Sequence, residues 1–414
     1  MERAVLVTVD HGERGGWSPE DRSSELSRLA VSAGAKVSRE LIVKRRDHNP
    51  AYYIGVGKAE EIRLLCAKVR ADIVIFNHDL SAAQQKNLEE VVRSRVIDRT
   101  QLILDIFARR AHSNEGKVQV ELAQLMYLLP RLTGKGVELS RLGGGIGTRG
   151  PGEQKLEVDR RRIRDRIARL KEDLEDLSRR RAMMRKKRER FSALTAALVG
   201  YTNVGKSTLI NALTQSRVIV QDRLFSTLDP TIRRFVLPNK QKILFVDTVG
   251  FLNDLPHHLI EAFKATLEEV SEADILLHLV DVSHPKAKEQ SQAVYEVLEE
   301  IGARDKPIIT VLNKIDKVSE PGTIDRIASE YTSVVNVSAV KRLGFDDLIA
   351  ALLQFTRQMT AKISILIPPG EQGLLGVIHE NGLVTKTEYR DAGVYIEAEI
   401  PIRVKEFLEK RLDN

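Results

Sequence analysis

A chain of 414 residues exceeds one ordinary domain and has room for about three, each able to bury a core. Its 42% hydrophobic and 30% charged residues exclude a disordered or fibrous chain, and no run approaches the about 18 apolar residues of a membrane-spanning helix, so no membrane span is expected. The single cysteine, Cys66, excludes an internal disulfide and a cysteine metal cluster and points to a reducing cytoplasmic compartment, while Met1-Glu2-Arg3-Ala4 lacks the apolar core of an export signal.

In chain order, apolar runs and turn residues predict strands over 4–9, 36–43, 71–77 and 96–97, with helices over 19–33, 57–70, 84–93 and 101–111. Strictly alternating β and α elements argue a small parallel α/β layer, taken as a domain over 1–115. Gly55-Val56-Gly57-Lys58 opens the second helix and looks like a phosphate loop. It lacks the upstream glycine and the hydroxyl after the lysine, which argues against a second nucleotide site.

The next stretch, 116–192, carries two heptad seams. Val118, Leu122, Leu125 and Leu129 are spaced 4-3-4, and Ile163, Ile167, Leu170, Leu174 and Leu177 are spaced 4-3-4-3. Two seams joined by one connection predict an antiparallel helical hairpin, its second helix reaching ~50 Å at about 1.5 Å per residue. Nearly all the excess charge of the chain is here. Residues 155–190 hold sixteen Lys or Arg against eight Asp or Glu, a local +8 within a total of +7. Arg179, Arg180, Arg181, Arg185, Lys186, Lys187 and Arg188 are too one-signed for a face of internal ion pairs, and suit a polyanion such as RNA. The hairpin tip, 131–152, interleaves eight glycines with Arg131, Lys135, Arg141 and Arg149. Glycines let backbone approach nucleic acid closely and arginines pair phosphates; a flexible linker is the alternative.

Gly200-Tyr201-Thr202-Asn203-Val204-Gly205-Lys206-Ser207 is a G-x-x-x-x-G-K-[ST] loop between an apolar run and a helical stretch, the context that motif needs. Loop amides and a helix N-terminus then face a polyphosphate, Lys206 reaches its β and γ phosphates, and Ser207 offers a hydroxyl to Mg2+. A strand over 243–246 ends in Asp247-Thr248-Val249-Gly250, placing Asp247 to hold a magnesium-bound water and Gly250 to bring its N–H to the γ-phosphate. Another over 307–312 ends in Asn313-Lys314-Ile315-Asp316. The Asp316 carboxylate accepts from the ring N–H and exocyclic amine of guanine, a donor pair adenine lacks; Asn313 braces the loop and the stem of Lys314 covers the base. After 334–337, Ser338-Ala339-Val340 offers the Ala339 N–H to the guanine oxygen. Each piece alone is a turn or a cap, but their order spells a GTP site.

Between the loop and Asp247, Phe225-Ser226-Thr227-Leu228-Asp229-Pro230-Thr231 reads as a switch that folds onto the γ-phosphate, Thr227 completing the magnesium shell ahead of Thr231. Lys206, Thr227 and Gly250 are the expected catalytic participants. Phe251 stands where many GTPases carry a glutamine, and a phenyl ring cannot orient water. The missing group must come from a backbone-held water, His257 or His258, a monovalent cation, or a partner. Asn203 is a candidate K+ ligand, with loop stabilisation as the alternative. This GTPase segment runs over 193–358. Beyond it, 359–414 reads as a small β-α-β-β-α domain with no chemical constellation.

These residues together resemble the HflX group of translational GTPases. The likeness lies in Tyr53-Ile54-Gly55-Val56-Gly57-Lys58, Val96-Ile97-Asp98-Arg99-Thr100, Ile103-Leu104-Asp105-Ile106-Phe107, and the stretch from Gly147-Thr148-Arg149 through Leu156-Glu157-Val158-Asp159-Arg160-Arg161. It continues through the nucleotide motifs, so it covers nearly the whole chain, and Phe251 agrees with the family pattern. The resemblance implies a multidomain α/β chain: an N-terminal α/β domain with a helical hairpin, a P-loop GTPase domain and a small α+β C-terminal domain. It also implies a cytoplasmic GTPase that binds the large ribosomal subunit, dissociates or rescues stalled or stressed ribosomes, enters ribosomal RNA near the peptidyl-transferase centre by its hairpin tip, and is stimulated by the ribosome. ATP use by some members loosens the guanine rule set by Asp316. A monomer is expected in solution. Two other readings stay open: a GTPase of ribosome assembly or another structured RNA, and a non-hydrolysing GTP-dependent RNA-binding module, against which the magnesium ligands argue.

Overall fold

Side chains 4–7 of β1 (Arg3–Asp10) are completely buried, and so short an apolar run can hide on both faces only inside a parallel α/β layer. The computed structural model places β1 between β2 (Lys36–Lys44) and β3 (Ile73–Phe76), with β4 (Arg95–Ile97) outermost, in the all-parallel order β2-β1-β3-β4. It describes all residues except 13–15, 46–48, 134–150, 190–193, 215–223, 226, 255, 321 and 413–414. The described chain divides into two compact units, one of 1–175, 221–229 and 254–264, the other of 176–220, 230–253 and 265–414.

In the first unit, helices start where their caps dictate. Ser18 opens α1 (Pro19–Ser32) with a reciprocal capping box to Asp21, and Ser81 does the same with Gln84 for α3 (Ala82–Val92); α2 (Val56–Val69) begins after Gly55. Val5, Val7, Val74, Phe76 and Val96 from the strands pack with Ile54, Ile62 and Leu88 to make the core. Asp98 caps α4 (Arg99–Arg110) through Gln101 N at 2.8 Å, while its other oxygen accepts from Tyr127 Oη at 2.9 Å and Arg131 Nη2 at 2.8 Å. Tyr127 belongs to α5 (Asn114–Leu128), and Arg131 to the 3-10 turn after it. Burial pushes the Asp98 carboxyl above the usual carboxylate range, against the Gln101 amide and the Arg131 charge that pull it down.

That network engages Arg131, one of the residues read from the sequence as an RNA contact. Arg131 donates to the Leu80 and Tyr127 carbonyls at 2.7 and 3.0 Å and stacks 3.4 Å from the Tyr127 ring centroid, so it fastens the end of α5. Lys135, Arg141 and Arg149, in the tip, lie outside the described residues.

A single helix, α6 (Pro151–Glu189), follows, and the boundary between units falls within it. Leu170 is buried and Ile163, Ile167, Leu174 and Leu177 are half-buried along one stripe, with charged residues around them exposed. Arg166 joins Glu121 of α5 by a two-pronged bond of 2.7 and 2.9 Å. Arg179 and Arg180 are exposed, Arg179 pairing with Asp176 at 2.6 Å, while Arg181 turns to Glu268 at 3.2 Å and is only 17% exposed. The side chains of Arg185, Lys186, Lys187 and Arg188 lie outside the described residues.

In the second unit the sheet order is β10 (Val334–Asn336), β9 (Ile308–Asn313), β8 (Ile275–Asp281), β5 (Leu194–Gly200), β7 (Lys242–Asp247), β6 (Thr231–Val236), parallel except for the β6 edge. Its helices are α7 (Lys206–Thr214), α8 (His257–Ser271), α9 (Ala287–Glu300), α10 (Thr323–Ala328) and α11 (Phe345–Gln358), with the first turns of α8 assigned to the first unit. A three-stranded antiparallel sheet closes the chain: β11 (Thr360–Ile367), β13 (Gly393–Pro401) and β12 (Leu383–Arg390), in that order. Ile396, Ala398 and Ile400 alternate inward to meet Ile378 of α12 (Gly373–Asn381) and Leu408 of α13 (Ile402–Leu412).

Candidate nucleotide site

Strands β5, β7, β8 and β9 run parallel, so their C-terminal tips share one edge, the edge where open α/β sheets bind ligands. The buried run Ala196–Val199 delivers Gly200 to that edge, and α7 starts at Lys206, aiming its free amides across the loop between them. Gly205 has φ +98°, and a β-carbon on it would stand 2.5 Å from Asn313 Nδ2, so only glycine fits.

Lys206 is 7% exposed and curls back, donating to the carbonyls of Gly200 and Tyr201 at 3.0 Å each. Burial drops its ammonium pKa to about 8, with Asp247 pulling it partly back. Ser207 Oγ donates to Asp247 Oδ2 at 2.7 Å, and Asp247 is 3% exposed. A hydroxyl and a buried carboxylate side by side at a helix N-terminus fit a hard cation completed by phosphate oxygens and water; among the described residues no group of three or more His, Cys, Asp or Glu forms a cage for a metal by itself.

Main-chain bonds stitch the segment after Asp247 to the loop. Phe251 N donates to Gly200 O at 3.1 Å, Thr202 N donates to Phe251 O at 2.9 Å, and Asn253 N donates to Tyr201 Oη at 2.9 Å. An added β-carbon on Gly250 would come 2.9 Å from Thr202 Cα and 3.1 Å from Lys206 Nζ, so Gly250 is pressed against the loop. Thr248 is fully buried on Leu198 O at 2.5 Å, and Val249 is also buried; their side chains support the strand tip. Phe251 is 1% exposed: its ring is core, as its chemistry demands.

At the base end, Asn313 ties three segments together. Its Nδ2 donates to Val204 O at 2.7 Å and its Oδ1 accepts from Ala339 N at 3.0 Å. Ala339 N, the group expected to meet the guanine oxygen, here donates to the buried Asn313 side chain. Asp316 Oδ1 accepts from Ser338 Oγ at 2.6 Å, and that hydroxyl holds the half-exposed carboxyl below the usual carboxylate range. It stays ionised at neutral pH, the state that can accept from a guanine edge. Ile315 is half-buried beside it, and Val340 is 77% exposed.

Phe225 and Asp229, expected along the nucleotide, have their side chains engaged inside the first unit. Phe225, at φ 55° and 2% exposed, packs edge-on to Phe107 of α4 with centroids 4.6 Å apart. Asp229 accepts from His112 N at 3.0 Å, Ser113 N at 2.8 Å and Ser113 Oγ at 2.5 Å, a carboxylate on the N-terminus of α5. Leu224 N donates to Ser32 Oγ at 3.0 Å, and Leu228 is buried. Thr227 lies within this anchored segment and is half-buried; Ser226 is outside the described residues, as are the side chains of His257 and His258.

Three family profiles match the chain: one described as GTP-binding GTPase N-terminal over 20–108, one as GTP-binding GTPase Middle Region over 110–188, and one as 50S ribosome-binding GTPase over 195–314. A protein of Caldanaerobacter subterraneus subsp. tengcongensis named GTPase HflX is 46% identical over 409 residues, covering 98% of this chain and 93% of its own. One of the same name from Escherichia coli K12 is 42% identical, covering 97% and 94%. Among solved structures, a GTP-binding protein of the archaeon Sulfolobus solfataricus in complex with GDP aligns with a TM-score of 0.46 and 27% identity, over 86% of this chain and 99% of that one.

Proposed function

The chain belongs to the HflX family of GTPases, a GTP-hydrolysing enzyme with a P-loop domain, and from that premise we propose that it acts on the large ribosomal subunit. In this reading it binds the subunit through ribosomal RNA, hydrolyses GTP to GDP and phosphate on contact, and dissociates or rescues stalled ribosomes in the cytoplasm. The buried Phe251 carries the proposal. A GTP site whose phosphate loop is assembled, yet whose residue after Gly250 is a buried phenyl ring, has no water-orienting side chain at that position, which supports turnover that waits for a partner.

Bound Mg2+ supplies charge neutralisation on the β and γ phosphates. Ser207 would ligate it directly and Asp247 through water, with Asn203 as the ligand for a K+. Lys206 exchanges its carbonyl partners for phosphate oxygens, and Asp316 reads guanine. The exposed basic residues of α6, among them Arg179 and Arg180, support RNA as the target, with the tip over 134–150 as its leading contact. No helix among the described residues is long and apolar enough to cross a membrane.

The test is GTP turnover with and without ribosomes, on the full chain and on a chain lacking 134–150, alongside cosedimentation with a non-hydrolysable GTP analogue. Strong stimulation that the deletion abolishes is expected. A free-protein rate equal to the stimulated one, or cosedimentation with an RNA other than the large subunit, overturns the proposal.

A further inference from the structure

We propose that Asp281, at the tip of β8, is a positioning residue for guanine nucleotides, holding Lys314 so that one ammonium couples the base-recognition loop to the phosphate loop. This deepens the reading above and rests on the site being one for guanine nucleotides.

Asp281 is 9% exposed and is the register partner of Asn313 on the neighbouring strand. Its carboxylate is fully occupied. Oδ1 accepts from Ser283 N at 3.1 Å and Ser283 Oγ at 2.6 Å, while Oδ2 takes the Lys314 ammonium at 2.7 Å. The same ammonium donates to Asn203 O at 2.8 Å, in the middle of the phosphate loop. Both residues so joined are non-glycine and left-handed: Lys314 has φ 66° and Asn203 φ 63°. Such conformations persist where neighbours over-determine them, and the shared ammonium is one device that does so.

The chemistry explains why a carboxylate is needed there. Lys314 must lie extended for its methylenes to cover a purine face, and its side chain is 20% exposed. A charge held in so dry a place needs a counter-charge, or the chain swings out to water. Asp281 supplies it, and Ser283 fixes which way the carboxylate points. No nucleotide-binding pattern read from the sequence contains Asp281; the packing of β8 beside β9 brings it to Lys314.

The test uses the full chain and fluorescent GDP and ADP. Asp281→Asn keeps the shape and the acceptor for Ser283 but removes the charge. Its Kd for GDP should rise about tenfold, mostly through faster release, with a smaller GDP-over-ADP preference. Lys314→Met should do the same, and the double variant should be no worse than about twofold beyond either single one, since both cut one link. Thermal unfolding of nucleotide-free Asp281→Asn should be unchanged, because the released Lys314 reaches water, which a merely structural role for Asp281 would not allow; Lys314→Met, which strands the Asp281 carboxylate, should unfold earlier. Full affinity in Asp281→Asn, additive losses in the double variant, or equal losses for GDP and ADP with a lowered Tm each overturn the proposal. A parent chain that binds GDP no better than ADP sinks the guanine reading and the clamp with it; a discriminating parent beside an unaffected Asp281→Asn sinks the clamp alone.

Discussion

Binding of nucleotide should take up a proton, and Lys206 sets how much. Burial lowers its ammonium pKa from the ordinary 10.5 to about 8. A polyphosphate replaces two carbonyl partners by anionic oxygens and returns the group to full protonation. The uptake on binding equals the fraction neutral beforehand, so it should climb from about 0.1 proton at pH 7 to about 0.5 at pH 8 and about 0.75 at pH 8.5. Apparent affinity then falls with rising pH, approaching tenfold per pH unit above about 8.5. The same shift has the opposite sign for the nucleotide-free fold. A lysine whose folded pKa is depressed opposes folding while the unfolded chain is protonated, so stability should rise as pH climbs through 8 and level off above about 10.5, by about 3 kcal/mol in all from this group. Calorimetry of GDP binding in two buffers of different ionisation enthalpy reads the proton count directly. A count that stays near zero at pH 8.5 refutes the burial argument.

Four further outcomes are expected. Gly250→Ala should lower GTP turnover at least tenfold and cost about 1–3 kcal/mol, because its methyl meets the Thr202 backbone at 2.9 Å; turnover and urea unfolding check it. Arg131→Met should destabilise the first unit by about 3 kcal/mol, leaving the buried Asp98 carboxylate without its cation, yet leave RNA affinity alone. Arg179→Met should do the reverse, reducing the salt dependence of RNA binding by about one ion with no loss of stability. Asp229→Ala removes three bonds from the N-terminus of α5 and should cost about 1–2 kcal/mol, with faster amide exchange at Ser113 and Gly116 read by mass spectrometry.

Much of the site was legible because its requirements are local. A glycine at φ +98° beside Asn313, a lysine and a hydroxyl opening a helix, and a carboxylate ending a buried strand each need a particular residue at a particular spacing. The α/β alternation of 1–115 was legible for the same reason, since caps such as Ser18 and Ser81 act within three residues. The β6 edge was not, because Thr231–Val236 alternates half-buried with exposed side chains and shows no apolar run.

Residue type alone could not say where a long polar side chain spends its charge. Arg131 and Arg181 look like their neighbours in a basic arm, but Asp98 and Glu268 are separated from them by 33 and 87 residues and claim them only after packing. Asp229 and Phe225 belong to a nucleotide motif by order, and to the first unit by contact. The sequence by itself determined the chemistry of the nucleotide site and the family, because short-range spacing encodes both. Only the tertiary structure decided which charges remain for a partner and which are consumed within, because an ion pair is chosen by distance in space, and burial raises the cost of leaving either charge alone.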